Sequence, residues 1–310
     1  TGGAGFIGST LVDRLLADGH EVAVVDDLSS GSEANLAGAF AEHGDRVRLH
    51  RADIRAAEAA AVVEAEVPEV LFHLAAQADV RVSVDDPVLD ASINIMGSLN
   101  VIEAFRRSGG RKVVFASSGG TIYGDPDPAD LPVDESHPQH PVSPYGVSKK
   151  VVGDYLAAFA ELHGLDYTAL ALANVFGPRQ DPHGEAGVVA IFAGRLLAGE
   201  PCTVFGTGEQ TRDFVYVDDV VDAFARAADR APGMLLNIGT GEETSVNRLY
   251  SAMAGAADVD RPAERAEARP GELDRSALDP SRAREHLGWE AQVSLDDGVR
   301  RVLDWVRAAT

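Results

Sequence analysis

The sequence predicts an α/β chain built on a doubly wound parallel sheet with a smaller C-terminal α/β region. Three observations carry that prediction. Short β-rich runs alternate with helix-patterned stretches through the first half, a glycine-rich turn opens the chain directly before a helical pattern, and past about Phe176 the texture changes to loop-rich, charged sequence. Short apolar runs separated by helices mark βαβ units, because neighbouring parallel strands need a crossover to join them.

Taken in order, the pattern after the opening turn puts Leu11, Val12, Leu15 and Leu16 on one helical face. Gly19 follows where a left-handed residue would close that helix. Residues 21–25 (EVAVV) form the first strand-like run, and 47–50, 70–74 (VLFHL), 112–116 (KVVFA) and 165–173 (LDYTALALA) continue the alternation. Between the last two, YGVSKKVVGDYLAAF reads as helix. The stretches GPRQDPHGEAG, FGTGEQTRDF and ARPGELDRS then break the regular pattern and suggest an intertwined region that supplies a binding surface. The final helix places Leu295, Val299, Val302, Leu303 and Val306 on one face, with Ser294 and Asp297 as an S-x-x-D start signal.

Composition narrows the function classes. The 310 residues are 45% hydrophobic and 25% charged, which describes an ordinary globular protein of one large domain or two modest ones. With 49 acidic against 27 basic residues the formal charge is -22, which argues against nucleic acid or an anionic membrane as partner. A phosphorylated ligand would have to be drawn in by local arginines and helix N-termini. The single cysteine, Cys202, permits no intrachain disulfide and speaks against a cysteine zinc site, so a reducing, cytoplasmic setting is expected. No His or carboxylate spacing resembles a metal site, and no metal is expected. No apolar run approaches the roughly 18 residues of a membrane span, and no signal-peptide pattern is present.

The opening TGGAGFIG places Gly2, Gly5 and Gly8 in the spacing G-x-x-G-x-x-G before a helix. Glycines there permit a tight turn and let a pyrophosphate approach backbone, while the helix N-terminus offers free N–H groups. Asp26 ends the EVAVV run where a carboxylate holds the adenosine ribose hydroxyls, and such a carboxylate repels a 2′-phosphate, favouring NAD over NADP. Asp27 could take the same role. A strand should precede the turn directly, so the natural protein is expected to start upstream of Thr1 and to include a central strand there.

Tyr145 and Lys149 stand four residues apart in PYGVSKK and would share a helix face. A phenol near pKa 10 is a poor base at neutral pH, and an adjacent ammonium or a cationic ring would stabilise its phenolate. The pair suits moving a proton from a hydroxyl while hydride leaves the same carbon. His73, on an apolar run, reads as a satisfied core histidine.

TGGAGFIG, Asp26, HLAAQADVRVSVDDP, SSGGTIYG, YGVSK, NVFGPRQDP, FGTGEQTRDFVYVDDV and RPGELDRS together resemble the extended short-chain dehydrogenase/reductases, and among them the UDP-galactose 4-epimerase group. The resemblance runs nearly end to end in family order. It implies a Rossmann-type NAD-binding domain over residues 1–175 and a mainly UDP-sugar-binding domain over 176–310, with some segments returning to the first. It implies tightly held NAD, a UDP-sugar substrate and a homodimer, formed across the stretch 92–105 and the helix after Tyr145.

By that resemblance Gly2, Gly5, Phe6, Ile7 and Gly8 hold the pyrophosphate, and Asp26 or Asp27 the ribose. Asp53 and Ile54 match the adenine edge, while Leu74, Ala75, Ala76, Gln77, Asn94 and Ser117 lie along the dinucleotide. Tyr145 matches the catalytic base, with Lys149 as its partner on the nicotinamide ribose. Ser118, Gly119, Thr121, Asn174, Val188, Val189, Thr203 and Phe205 match the substrate side, Arg212 and Arg269 the diphosphate clamp, and Glu272 the uridine ribose. Many members carry Ser or Thr where Gly119 stands, as a proton relay to the tyrosine. Ser117, Ser118 and Thr121 are the hydroxyls available instead, with Thr121 or a water favoured. Related dehydratases and decarboxylases place acids at Gly120 or Thr121, so both lose ground.

The reading is a UDP-glucose/UDP-galactose 4-epimerase. A UDP-glucuronate 4-epimerase is the runner-up, for which Arg81, Arg179 and Arg195 could meet a carboxylate at C6. A non-catalytic NAD-binding regulator on the same fold is the alternative of another class, and a net oxidoreductase a third.

Overall fold

A computed structural model of the chain describes residues 1–182, 187–268 and 273–309. The first half runs α1 (Phe6–Ala17), β1 (Val22–Asp26), α2 (Ala37–His43), β2 (Val47–Arg51), α3 (Ala57–Glu66), β3 (Val70–His73), α4 (Val80–Asp85) and α5 (Pro87–Ala91). A π-helical turn (Ser92–Gly97) leads into α6 (Ser98–Arg107), then β4 (Lys112–Ser118), α7 (Gly119–Ile122), α8 (Pro144–His163) and β5 (Asp166–Leu172). Every strand-like run read from the first half is a strand here, shifted by no more than about two residues at its ends.

The second half contributes β6 (Asn174–Phe176), α9 (Val188–Leu197), β7 (Thr203–Phe205), β8 (Thr211–Arg212), β9 (Phe214–Tyr216), α10 (Val217–Ala227) and β10 (Met234–Ile238). It ends with β11 (Thr244–Ser245), α11 (Val246–Ala256), β12 (Glu264–Ala266), α12 (Ser281–Leu287) and α13 (Leu295–Ala309). The S-x-x-D start of α13 closes as a reciprocal cap: Asp297 N–H donates to Ser294 Oγ at 3.2 Å, and that hydroxyl donates to the Asp297 carboxylate at 2.8 Å.

The main sheet is all parallel in the order β10–β5–β4–β3, with Phe115 opposite Ala169 and Leu170 opposite Leu236. β10, from the second half of the chain, forms one edge of this sheet beside β5. β1 and β2 form a separate parallel pair. Residues Thr1–Gly3 link the two sheets, Gly2 N–H donating to the Val25 carbonyl and Leu74 N–H to that of Thr1. Beside this link a cavity of about 510 Å³ opens between β1 and β3, lined by Val12, Leu15, Val22, Val24, Leu71 and Phe72 among others.

Helices cover both faces. Leu11, Leu15, Val114, Phe224 and Trp289 belong to one buried cluster, with α10 packed against α1. Ile102, Phe105, Phe115 and Leu156 anchor the other, under α3, α6 and α8. One sequence expectation needs correction. The stretch Pro87–Arg107 is one continuous helical run of 21 residues in which an 18-residue window has mean hydropathy 1.2, long and apolar enough by length and composition alone to cross a membrane. Val101, Ile102 and Phe105 are fully buried against the sheet, which accounts for that apolarity by core packing.

Candidate active site

Parallel strands put their C-terminal ends along one edge, and the candidate residues gather there. At the end of β1 lies the glycine loop. A Cβ on Gly8 would stand 2.0 Å from the Gly2 carbonyl oxygen, and one on Gly2, whose φ is +71°, 2.6 Å from the Ala75 nitrogen. These contacts are backbone on backbone, so the loop closes only with glycine at both positions. Gly5 is the N-cap of α1 and supplies no side-chain cap, leaving first-turn N–H groups of a 12-residue helix available to an anion. Phe6 and Ile7 are half-buried in that turn and pack on the larger cluster.

Two carboxylates, the last residue of β1 and the one after it, take different tasks. Asp26 is buried and accepts from Ala4 N–H and Leu28 N–H, both at 2.9 Å, which ties it to the glycine loop. Asp27 is exposed and accepts from the Ser29 N–H and hydroxyl. Of the pair, Asp26 is the one lodged against the loop. Asp53 pairs with Arg55 at 2.5 Å, and that guanidinium holds its carboxyl below the usual range. Ile54 is 5% exposed and fills core beside Gly97.

After β3 the chain passes the glycine loop. Ala75 N–H donates to the Thr1 hydroxyl at 3.3 Å, with half-buried Leu74 and Ala76 on either side. Gln77 and the buried Asn94 exchange two hydrogen bonds: Gln77 N–H donates to Asn94 Oδ1 at 2.9 Å, and Asn94 Nδ2 to the Gln77 carbonyl at 2.8 Å. Asn94 sits in the π-helical turn, a distortion often found at functional sites. His73 is fully buried, bridging the Thr1 and Ser98 hydroxyls, and burial pushes it well below the ordinary histidine range.

Helix α8 presents the Tyr–Lys pair, and its start explains the SPYG sequence. Ser143 is the N-cap, accepting from Gly146 N–H at 3.2 Å, and Pro144 occupies the first turn where no N–H is needed. A Cβ on Gly146 would meet the Thr121 carbonyl at 2.8 Å, so glycine lets the helix press onto α7. Lys149 is buried, its Nζ donating to the Ala116 carbonyl at 2.9 Å and lying 5.6 Å from the Tyr145 ring centroid. Burial brings its ammonium down to about 8.

Tyr145 departs from expectation in its phenol. Its phenol is pushed up to about 12 by burial, with a hydrogen bond to the Ser118 side chain opposing the rise. The neighbouring ammonium is turned to Ala116 and does not offset the desolvation. Ser118 is the last residue of β4 and Thr121 lies in α7. Residues 119–122 begin a helical turn, so the Thr121 hydroxyl bonds back to the Ser118 carbonyl at 3.3 Å. Gly119 has a physical reason as well: a Cβ there would stand 2.3 Å from Leu278 Cδ1. Ser117, next on the strand, is 6% exposed.

On the other side, Asn174 is half-buried at the start of β6, and its Oδ1 is the nearest atom to a Cβ placed on Gly120, at 4.0 Å. Val188 opens α9, whose N-cap Gly187 again gives no side-chain cap. Val189 is 1% exposed, so its side chain is core and only backbone could reach a ligand. Thr203 and Phe205 are the half-buried ends of β7, and Arg212 on β8 donates to the Thr211 carbonyl at 2.7 Å. Arg269 and Glu272 lie outside the described residues. Sequence reasoning missed Asp90, Ser148 and Leu278. Asp90 stands four residues before Asn94 and Ser148 directly before Lys149, spacings that could have flagged the first two.

The cradle suits a dinucleotide: a loop closed by glycines, an uncapped helix N-terminus and a buried carboxylate at its edge. Comparison with known proteins agrees. The sequence model of the NAD dependent epimerase/dehydratase family matches residues 1–239. The UDP-glucose 4-epimerase of Mycolicibacterium smegmatis is 52% identical over 308 residues, covering 99% of this chain and 97% of that protein. A Thermotoga maritima UDP-glucose 4-epimerase crystallised with UDP-glucose superposes with a TM-score of 0.95 at 44% identity, covering 99% and 97% of the two chains. The Thermus thermophilus UDP-glucose 4-epimerase in complex with NAD superposes at 0.92 with 42% identity, covering 100% and 98%.

Proposed function

The chain belongs to the NAD-dependent epimerase/dehydratase family, and from that membership we propose that it is an isomerase interconverting UDP-glucose and UDP-galactose with bound NAD. The observation that carries this reading is Tyr145 one helical turn from buried Lys149, whose Nζ lies 5.6 Å from its ring, at the sheet edge that also bears the glycine loop. NAD would be held by Gly2, Gly5 and Gly8 with the α1 N-terminus at its pyrophosphate, by Asp26 at its adenosine ribose, by Asp53 and Ile54 near adenine, and by Lys149 at its other ribose. When bound it accepts hydride from C4 of the sugar and returns it.

The protein's part is proton handling and grip. Tyr145 as phenolate takes the proton of the sugar 4-hydroxyl, with Ser118 spanning to the substrate. A phenol pushed this high by burial needs positive charge close by to ionise, which a cationic nicotinamide ring would supply with NAD bound. The resulting 4-keto sugar turns over and is reduced on its opposite face, while Tyr145 returns the proton. Arg212, with Arg269, holds the diphosphate so that the ketone stays bound, and Asn174 and the backbone at Val188 and Val189 line the same side.

The assembly we infer is a cytoplasmic homodimer. Met96, Leu99, Tyr155 and Phe159 line one hollow of about 530 Å³ on the outer face of α6 and α8. Met96 is 63% exposed and Tyr155 41%, a surface suited to a second copy. The catalytic reading is tested by following UDP-galactose conversion with Tyr145→Phe. Loss of about 100-fold or more in kcat, with NAD and UDP still bound, is expected for removal of a general base. Undiminished turnover would reject it.

A further inference from the structure

Asp90 on α5 has no exposed surface. Its Oδ2 accepts from the Ser148 hydroxyl at 2.6 Å, and its Oδ1 from Asn94 Nδ2 at 2.9 Å and Gln77 Nε2 at 3.2 Å. All three donors are neutral. An amide could satisfy the same geometry at a smaller desolvation cost, so a carboxylate in this dry position indicates that its charge is used. The cation buried beside it is Lys149, the residue after Ser148, and among the described residues no carboxylate touches that ammonium directly.

The other charged groups nearby are occupied or neutral. Asp79, the N-cap of α4, pairs with Arg81 at 3.0 Å, and Lys150 pairs with Asp154 on α8 at 2.8 Å. His73, behind the pair, is fully buried, and burial pushes it well below the ordinary histidine range. Asp90 is thus the anion that both Lys149 and Tyr145 feel.

We propose that Asp90 is a positioning residue of the Tyr145–Lys149 pair: a buried anion that keeps Lys149 an ammonium, holds its helix turn through Ser148, and clamps Asn94 and Gln77 to the same carboxylate. The proposal rests on the epimerase reading of the site. Beside this anion Lys149 and Tyr145 each hold a proton to higher pH than they would otherwise. Neutralising it therefore lowers both.

The test compares the pH dependence of kcat for UDP-galactose conversion in the wild type, Asp90→Asn and Ser148→Ala. For Asp90→Asn, both limbs of the profile should move to lower pH by roughly one unit. Ser148→Ala keeps the charge, so its rate should fall with the limbs in place. A lower rate with unmoved limbs in Asp90→Asn would make the residue merely structural and overturn the proposal. An independent arm needs no turnover: thermal unfolding of the NAD-free wild type, Asp90→Asn, Lys149→Met and the double variant. The two substitutions should be strongly non-additive, the double variant unfolding above the midpoint expected from the singles. Additive losses would refute the charge link even if the epimerase reading stands. If Asp90→Asn fails to fold, the double variant decides: folding recovered supports the proposal, and failure again sinks it. A wild type inactive on UDP-sugars would remove the epimerase reading alone, leaving the unfolding arm to judge the pair.

Discussion

The glycine loop offers a controlled experiment, because two of its glycines serve different ends. In Gly8→Ala the new methyl would sit 2.0 Å from the Gly2 oxygen, 2.8 Å from the Gly2 carbonyl carbon and 2.9 Å from Gly3 Cα. Real Cβ atoms essentially never approach closer than 3.0 Å, so loop and helix must part by about an ångström. All three neighbours are backbone, and no rotamer change relieves them. Overpacking of this kind costs about 3 kcal/mol. For a chain of 310 residues that lowers Tm by roughly 5 °C. In Gly5→Ala the only neighbour within 4 Å is the Gly2 oxygen, at an ordinary 3.4 Å, and φ is -78°. Its cost should stay within about 1 kcal/mol, as for an unfavourable N-cap residue. The methyl instead faces the mouth of α1, where it should weaken NAD about tenfold or more by spoiling a charge-assisted backbone contact. The assay is thermal unfolding of NAD-free protein followed by NAD titration. Equal Tm losses for the two variants, or a larger loss for Gly5→Ala, would show that the loop is not closed as described.

Two further expectations test the packing and charge around this frame. Gly119→Ser should lower activity and stability because its Cβ meets Leu278 Cδ1 at 2.3 Å. Adding Leu278→Ala should recover much of the loss, and unfolding midpoints with kcat will show whether it does. Glu103 is paired with Arg106 and Arg107 at 2.7 and 2.9 Å, which holds its carboxyl at about 2, below the 4.5 of the unfolded chain. A depressed folded value means stability fully present above pH 4.5 and lost as pH falls toward 2. Glu103→Gln should thus cost roughly 1 kcal/mol at neutral pH, with the difference vanishing in acid, as read from Tm against pH.

What the amino-acid order determined by itself is the set of features that depend on a few neighbouring residues. The strands 22–26 and 70–73, the capped final helix, the glycine turn and the four-residue spacing of Tyr145 and Lys149 are all set by local backbone geometry and short-range periodicity, which a single sequence displays. Asp26 was legible as one of two adjacent acids. Only folding separated them, by burying one against the loop and turning the other to Ser29.

The tertiary structure decided the rest. Where β4 ends and α7 begins puts Ser118 on the strand and Thr121 on the helix, a difference of one or two residues that propensity does not resolve. Gly119 is explained by Leu278, more than 150 residues away, and Asp90 meets Ser148 across 58 positions. The return of β10 to the main sheet is of the same kind. Such contacts arise from packing whole elements together, and their partners carry no pattern near one another in the chain.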